Sequence, residues 1–306
     1  MNLRARWWRA AGLGVALALG LPCAVAQDPD EPQARALTGV LKRIKEARVV
    51  RIGYRTEAVP FSFTGRDGEP HGYSIDLCEA IIEHISEAVG GLRLRTEYRR
   101  VTPADRIDQV ADGRVDLECG STTNTAERAK RVAFSPVIFI TGTRLLVKRG
   151  SPVRSARDLA GRTVVAVRGT TNEEAMRRLA PRTGFKLETA DGYAQALERL
   201  ADGAADALAA DDILIAGYLA EKGLRREYAA VGDLLSFEPY GIVFARGDAP
   251  LAEVVHETFR ALASSGEIRT IYNKWFLKTL PSGYRLGVPM GPRLERSFQV
   301  LGLPAE

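Results

Sequence analysis

Histidine and cysteine, on which most metal centres and many acid–base sites depend, are scarce here: three of each in 306 residues. His71, His84 and His256 are scattered with no H-x-x-x-H spacing, and Cys78 and Cys119 form no C-x-x-C pair. The sequence therefore offers no metal-ligand pattern. Nucleotide and nucleophile signatures are missing as well: there is no G-x-x-x-x-G-K-[ST], no G-x-G-x-x-G after a strand and no G-x-S-x-G elbow. The paired acids Glu173-Glu174 and Asp211-Asp212 stand at expected helix starts, where adjacent carboxylates complement the helix dipole. No catalytic residue, metal or cofactor is expected, and the chain is not read as an enzyme. An apolar fraction of 45% with 26% charged residues excludes a disordered chain or a disulfide scaffold.

Long apolar runs are equally few. The one near the start, Ala10 to Leu21, falls short of the ~20 residues a membrane span needs. It follows Arg4, Arg6 and Arg9 and gives way to Ala24-Val25-Ala26, which is the layout of a secretory signal peptide over residues 1–26, cleaved after Ala26. Pro22 sits where a small residue would precede a lipidated Cys23, which argues against a lipid anchor. The leader takes three Arg and no acid with it, so the net charge drops from +5 to +2. The pI near 9.2 is thus largely a targeting device and gives no reason to expect a nucleic-acid partner. The mature protein is expected to be soluble in the periplasm, where Cys78 and Cys119 either form a disulfide or remain two buried thiols.

Residues 27–37, with Pro29 and Pro32, read as a flexible lead-in. A helix is expected over 38–47, a strand over 49–53, a helix over 74–89, and strands over 92–98 and 115–119. Thr102-Pro103-Ala104-Asp105 opens a further helix, with Thr as cap, Pro in the first turn and an acid three residues on. The second half echoes the first. Thr163–Val167 runs into Arg168-Gly169-Thr170-Thr171 as Val49–Gly53 runs into Tyr54-Arg55-Thr56, and Ala201-Asp202-Gly203 repeats Ala111-Asp112-Gly113. Strands alternating with helices imply parallel sheets covered by helices. Two extended runs, 139–147 and 240–245, connect the halves, and helices over 251–264 and 267–276 follow. The expected organisation is lobe 1 over 38–142, lobe 2 over 143–244, and a return to lobe 1 over 245–306.

The polar loops carry the chemistry. Glu118-Cys119-Gly120-Ser121-Thr122-Thr123-Asn124-Thr125-Ala126-Glu127-Arg128 sets hydroxyls, backbone amides and a guanidinium between a strand and a helix, a combination suited to a carboxylate. Taken alone, its Ser and Thr would be simple helix caps. Gly169-Thr170-Thr171 has the same form in the other lobe, and the pair of loops points to a carboxylate held in a cleft. Asp211, at the end of the 207–210 strand, suits an ammonium, with an N-cap role as the alternative. Arg55 and Arg106, both near strand ends of lobe 1, suit a second carboxylate. Charge-assisted hydrogen bonds of ~1.5–3 kcal/mol each, about five or six in number, would sustain micromolar binding, which needs ~8 kcal/mol.

Gly53-Tyr54-Arg55 with Val59-Pro60-Phe61-Ser62, Gly72-Tyr73-Ser74-Ile75-Asp76-Leu77, the run from Glu118 to Ser135, Thr141–Leu146, Gly169-Thr170-Thr171 and Asp211-Asp212 resemble the periplasmic amino-acid-binding proteins of ABC importers (solute-binding protein family 3), and among them the glutamate/aspartate-binding branch. The resemblance covers about the whole mature chain. It implies an α/β fold of the type II periplasmic-binding-protein kind: two α/β lobes, a two-strand hinge and a ligand cleft between the lobes. Arg128 would grip the ligand α-carboxylate with Ser121, Thr123 and Thr171. Asp211 would hold the α-ammonium, and Arg55 and Arg106 the side-chain carboxylate. Two positions depart from the family pattern: Pro103 replaces a Ser, and Tyr193 replaces a His that would approach the side-chain carboxylate. The implied partners are L-glutamate or L-aspartate and an inner-membrane ABC permease, served by a monomer. Another polar amino acid as ligand, or an enzyme or sensor on the same fold, are the alternatives.

Overall fold

The computed structural model describes residues 37–280 and 283–305. The expected leader over 1–26, its cleavage after Ala26 and the lead-in before Leu37 lie outside the described residues. The first helix, α1 (Gly39–Ala47), buries Leu41 and Ile44 one turn apart and ends at Arg48 in the left-handed conformation. Then come β1 (Val49–Tyr54), a small antiparallel sheet of β2 (Glu57–Ala58), β3 (Ser62–Thr64) and β4 (Pro70–His71), and α2 (Tyr73–Ala88). They are followed by β5 (Arg95–Arg100), α3 (Arg106–Ala111), β6 (Leu117–Glu118) and β7 (Val132–Phe134). β5 begins later than the sequence suggests, because Gly90 and Gly91 both turn through positive φ and the ladder with β1 opens only at Val49–Arg95.

The chain crosses on β8 (Phe139–Thr141) and enters a second sheet as β9 (Thr143–Lys148). There it forms β10 (Thr163–Val167), α4 (Thr171–Thr183), β11 (Lys186–Ala190), α5 (Tyr193–Ala201), β12 (Ala207–Asp211), α6 (Asp212–Glu221) and β13 (Tyr228–Val231). It returns on β14 (Glu238–Tyr240) and continues as β15 (Val243–Ala245), α7 (Ala249–Ser264), α8 (Glu267–Phe276) and α9 (Pro292–Val300). Each of the two long extended runs breaks at a glycine, Gly142 or Gly241. A Cβ on Gly142 would lie 2.3 Å from the Ser236 carbonyl oxygen, which explains the small residue there.

The two sheets share one plan. The first has the order β5-β1-β6-β15-β7 and the second β11-β10-β12-β9-β13. In each, three strands run parallel and a fourth, joined to a crossing strand, lies antiparallel beside them. The echo in sequence is therefore an echo in topology. Between the lobes β8 and β14 pair as an antiparallel ribbon, with Glu238 opposite Thr141 and Tyr240 opposite Phe139.

Aromatic packing ties this ribbon to the first lobe. Phe139 stacks on Phe276 with ring centres 4.8 Å apart, and Phe61 meets Tyr240 edge-on at 5.1 Å. Such pairs add ~0.5–1.5 kcal/mol each beyond the area they bury. Cys78 of α2 and Cys119 at the end of β6 form a disulfide, the first of the two alternatives left open by the sequence. Among the described residues no helix is long and apolar enough to cross a membrane.

Candidate functional site

In open α/β sheets ligands gather beyond the carboxyl ends of parallel strands. Here those ends carry nearly every residue singled out from the sequence. Arg55 follows β1, Arg106 opens α3 after β5, and Ser121, Thr123 and Arg128 lie on the loop after β6. On the second lobe Thr171 opens α4 after β10, Tyr193 opens α5 after β11, and Asp211 ends β12.

The turn that delivers Arg106 forms as its sequence suggests. The Thr102 amide donates to the Asp105 carboxylate at 2.7 Å, and the Asp105 amide donates back to the Thr102 hydroxyl at 3.2 Å, a reciprocal capping arrangement. Arg106 then enters the interior at 3% exposure and Arg55 at 4%. Neither guanidinium has a hydrogen-bond or ion-pair partner among the described residues, and Arg106 Nε is fully buried. Burial, then the field of Arg106, pushes the Arg55 pKa down to about 10. The stem of Arg55 lies over Gly120, where a Cβ would come within 3.1 Å of the Arg55 Cγ and 2.2 Å of the Glu118 Oε1, so glycine at 120 leaves room for both side chains.

Arg128 bridges the lobes. Its Nη1 donates to the Thr123 carbonyl at 3.0 Å and its Nη2 to the Gly169 carbonyl, across the cleft, at 3.2 Å. Burial and the field of Arg106 lower its pKa to about 10. A second link joins the Thr123 and Thr171 hydroxyls at 3.4 Å. Gly169, at φ 74°, brings the second lobe so close that a Cβ there would stand 2.6 Å from the Ala104 Cα. Gly217 on α6 does the same against the Val59 carbonyl, at 2.1 Å. These contacts place the two loops face to face.

The Asp211 side chain does not act as a helix cap. The residue is the N-cap of α6, yet its side chain makes no capping bond. One carboxylate oxygen accepts from Asn172 Nδ2 at 2.8 Å and the other from the Tyr240 hydroxyl. Burial and then the charge of Glu238 push its pKa up to about 6, against the pull of those two hydrogen bonds. Tyr193 lies in the same field: burial and then Asp211 raise its pKa, while Arg55 and Arg106 oppose the rise. The paired acids at 173 and 174 serve α4 as expected from the helix dipole. Glu173 accepts from the Gly169 amide at 2.8 Å and pairs with Arg177 at 2.6 Å.

Two buried carboxylates in the field of these site residues have no role assigned from sequence. Glu118 is fully buried: its Oε2 accepts from the Thr122 hydroxyl at 2.7 Å and its Oε1 has no partner. Burial raises its pKa, with Arg106, Thr122 and Arg55 pulling the other way. Glu238, on the hinge ribbon, was missed entirely. The available signal was the Glu238-x-Tyr240 spacing, since residues two apart on a strand share a face.

Residues 50–278 match the family described as bacterial extracellular solute-binding proteins, family 3. Over 267 residues the chain is 37% identical to the L-glutamate/L-aspartate-binding protein of Pseudomonas aeruginosa, covering 86% of this chain and 88% of that one. It is 33% identical to the glutamate/aspartate import solute-binding protein of Escherichia coli (strain K12), again over 267 residues, covering 87% and 88%. Among solved structures, an ancestral arginine-binding protein bound to arginine matches with a TM-score of 0.68 at 28% identity, over 74% of this chain and 98% of that one. Two lobes of one topology, joined by a ribbon and meeting over strand-end loops, are the type II arrangement, and the chain belongs to the bacterial extracellular solute-binding proteins, family 3.

Proposed function

We propose that this protein is the periplasmic binding protein of an ABC importer, that it closes as a monomer on an acidic L-amino acid, glutamate or aspartate, and that it hands the ligand to an inner-membrane permease after its leader is removed at Ala26. The observation that carries the acidic specificity is the pair of buried guanidinium groups, Arg55 and Arg106, which have no hydrogen-bond or ion-pair partner among the described residues and lie beyond the carboxyl ends of first-lobe strands. Two like charges in a desolvated site repel each other. A carboxylate between them relieves that repulsion and gains charge-assisted hydrogen bonds, which a neutral side chain cannot do. Arg128, with Ser121, Thr123 and Thr171, would take the α-carboxylate, and Asp211 the α-ammonium. Tyr193 would donate its hydroxyl toward the side-chain carboxylate without adding charge.

Glu118 favours a second reading. A buried carboxylate within the field of Arg55 and Arg106 offsets part of their charge, and so opens the site to a neutral polar amino acid such as glutamine. Isothermal titration with L-glutamate, L-aspartate, L-glutamine and L-arginine separates the two. Binding of either acid, tighter than glutamine, is expected. Binding of neither acid overturns the acidic reading.

A further inference from the structure

Glu238 brings into the hinge a carboxylate whose Oε2 no group among the described residues answers. It is 3% exposed, and its Oε2 is buried without a hydrogen-bond partner among the described residues. A carboxylate in that condition is costly unless a cation or donor meets it. Its strand fixes its direction: Glu238 and Tyr240 share one face of β14, and the Tyr240 hydroxyl on that face donates to Asp211. Thr141, directly across the ribbon, gives its hydroxyl to Asp212 and leaves Glu238 unserved. Glu238 is also the charge that most raises the pKa of Asp211, and its field reaches Tyr193 and Arg128. Arg128 does not neutralise it, because its two terminal nitrogens are committed to the Thr123 and Gly169 carbonyls.

We propose that Glu238 is a second carboxylate of the ammonium subsite, so that the α-ammonium of the ligand is held between Asp211 and Glu238. The proposal rests on the amino-acid reading above. An ammonium presents three N–H donors around one point charge, and a pair of facing carboxylates matches it better than one. Without an ammonium the two acids repel each other, so a dicarboxylate that lacks the amino group meets an unfavourable wall, which is specificity by exclusion. The placement also joins two parts of the molecule: Asp211 ends β12 in the second sheet, whereas Glu238 belongs to the ribbon packed on the first lobe. An ammonium shared between them draws the ribbon toward the second lobe.

The test compares L-glutamate with glutarate, which keeps both carboxylates and lacks the ammonium. Titration of wild type and Glu238→Gln should show glutamate affinity falling at least tenfold, which is about 1.4 kcal/mol, with glutarate, followed at millimolar concentration by thermal shift, unchanged or tighter. Equal loss for both ligands, or no loss for either, overturns the proposal. If Glu238→Gln does not fold, Glu238→Met, of similar volume and no charge, gives the same contrast. If wild type binds neither glutamate nor aspartate, the acidic reading has failed separately. The contrast then runs with L-glutamine against glutaramate, and equal loss there overturns the subsite itself.

Discussion

Asp211 should cost the protein stability at neutral pH, and Asp211→Asn should remove that cost. The carboxyl is buried and its pKa is pushed up from 3.8 to about 6, first by desolvation and then by Glu238. At 1.36 kcal/mol per pH unit, holding it ionised in the fold costs about 3 kcal/mol. The sign follows from proton counting. Below about pH 3 the group is largely protonated in both folded and unfolded chains, so wild type and Asn variant differ there only by packing. Between pH 4 and 6 the unfolded chain releases its proton first and the native state binds more protons, so stability falls as pH rises. Above about pH 7 the loss is complete. Urea unfolding of both proteins, with no amino acid added, should show the advantage of Asp211→Asn growing by about 2–3 kcal/mol from pH 4 to pH 7.5. Effects of the substitution that do not titrate cancel in that comparison. An advantage that is the same at both pH values would refute the reasoning, since Asp211 would then not be desolvated. The same variant should lose amino-acid binding, an exchange of stability for function expected where a binding site keeps an uncompensated charge.

On the proposed reading, in which Arg128 grips the α-carboxylate, Arg128→Ala should abolish binding of every amino acid in a titration panel, since the same side chain also spans the lobes through the Gly169 carbonyl. Arg55→Ala and Arg106→Ala should weaken glutamate and aspartate at least tenfold more than glutamine, and equal loss for all three ligands would count against their assignment. Gly169→Ala should weaken ligand binding about tenfold or more by holding the lobes apart at Ala104, and small-angle scattering should show the expanded form persisting at saturating wild-type ligand concentrations. Replacing Cys78 and Cys119 by Ser should lower unfolding stability by about 4 kcal/mol, the loop-entropy value for a sequence separation of 41, and an unchanged urea midpoint would contradict a formed bridge.

The parts of the fold that were legible in the sequence are those with a local physical signature. The Glu267–Phe276 helix, the β10 strand and the Thr102–Asp105 cap each follow from periodicity, β-branched runs or capping chemistry within a few residues. Elements whose stability comes from elsewhere were not legible. β7 and β13 are short edge strands that exist because a neighbour supplies their ladder. The β2–β4 sheet owes its pairing to positions that carry no alternation of their own. The positions of Arg55, Arg106 and Asp211 at strand ends could be read, because a strand followed by a polar loop is a local pattern. What answers their charges could not be read, since it depends on contacts such as Asn172 to Asp211, 39 residues apart.

That gap bears on the charge argument itself. Counting from the sequence, three Arg stand against a single Asp, an excess of cations that calls for a ligand of net negative charge. In the structure Glu118 and Glu238 are buried in the same field, so three guanidinium groups face three carboxylates and the cleft is close to neutral as a whole. Net charge therefore cannot be what selects the ligand. On the proposed reading selection comes from separation: the cations gather at the strand ends of the first lobe, with Glu118 among them, and the other two carboxylates, Asp211 and Glu238, lie where β12 meets the ribbon. The proposed binding mode then predicts that a ligand is preferred in proportion to how well its own charges are separated in the same sense, carboxylate toward Arg55 and Arg106, ammonium toward Asp211. Reversing the charge of one member of either group disturbs that alignment far more than adding a charge elsewhere on the surface, where solvent and salt screen it within a Debye length of about 8–10 Å. Ligand preference should accordingly respond to Glu118→Gln, which sharpens the cationic end and raises the preference for glutamate over glutamine, and should be indifferent to removal of exposed ion pairs such as Lys130–Glu127.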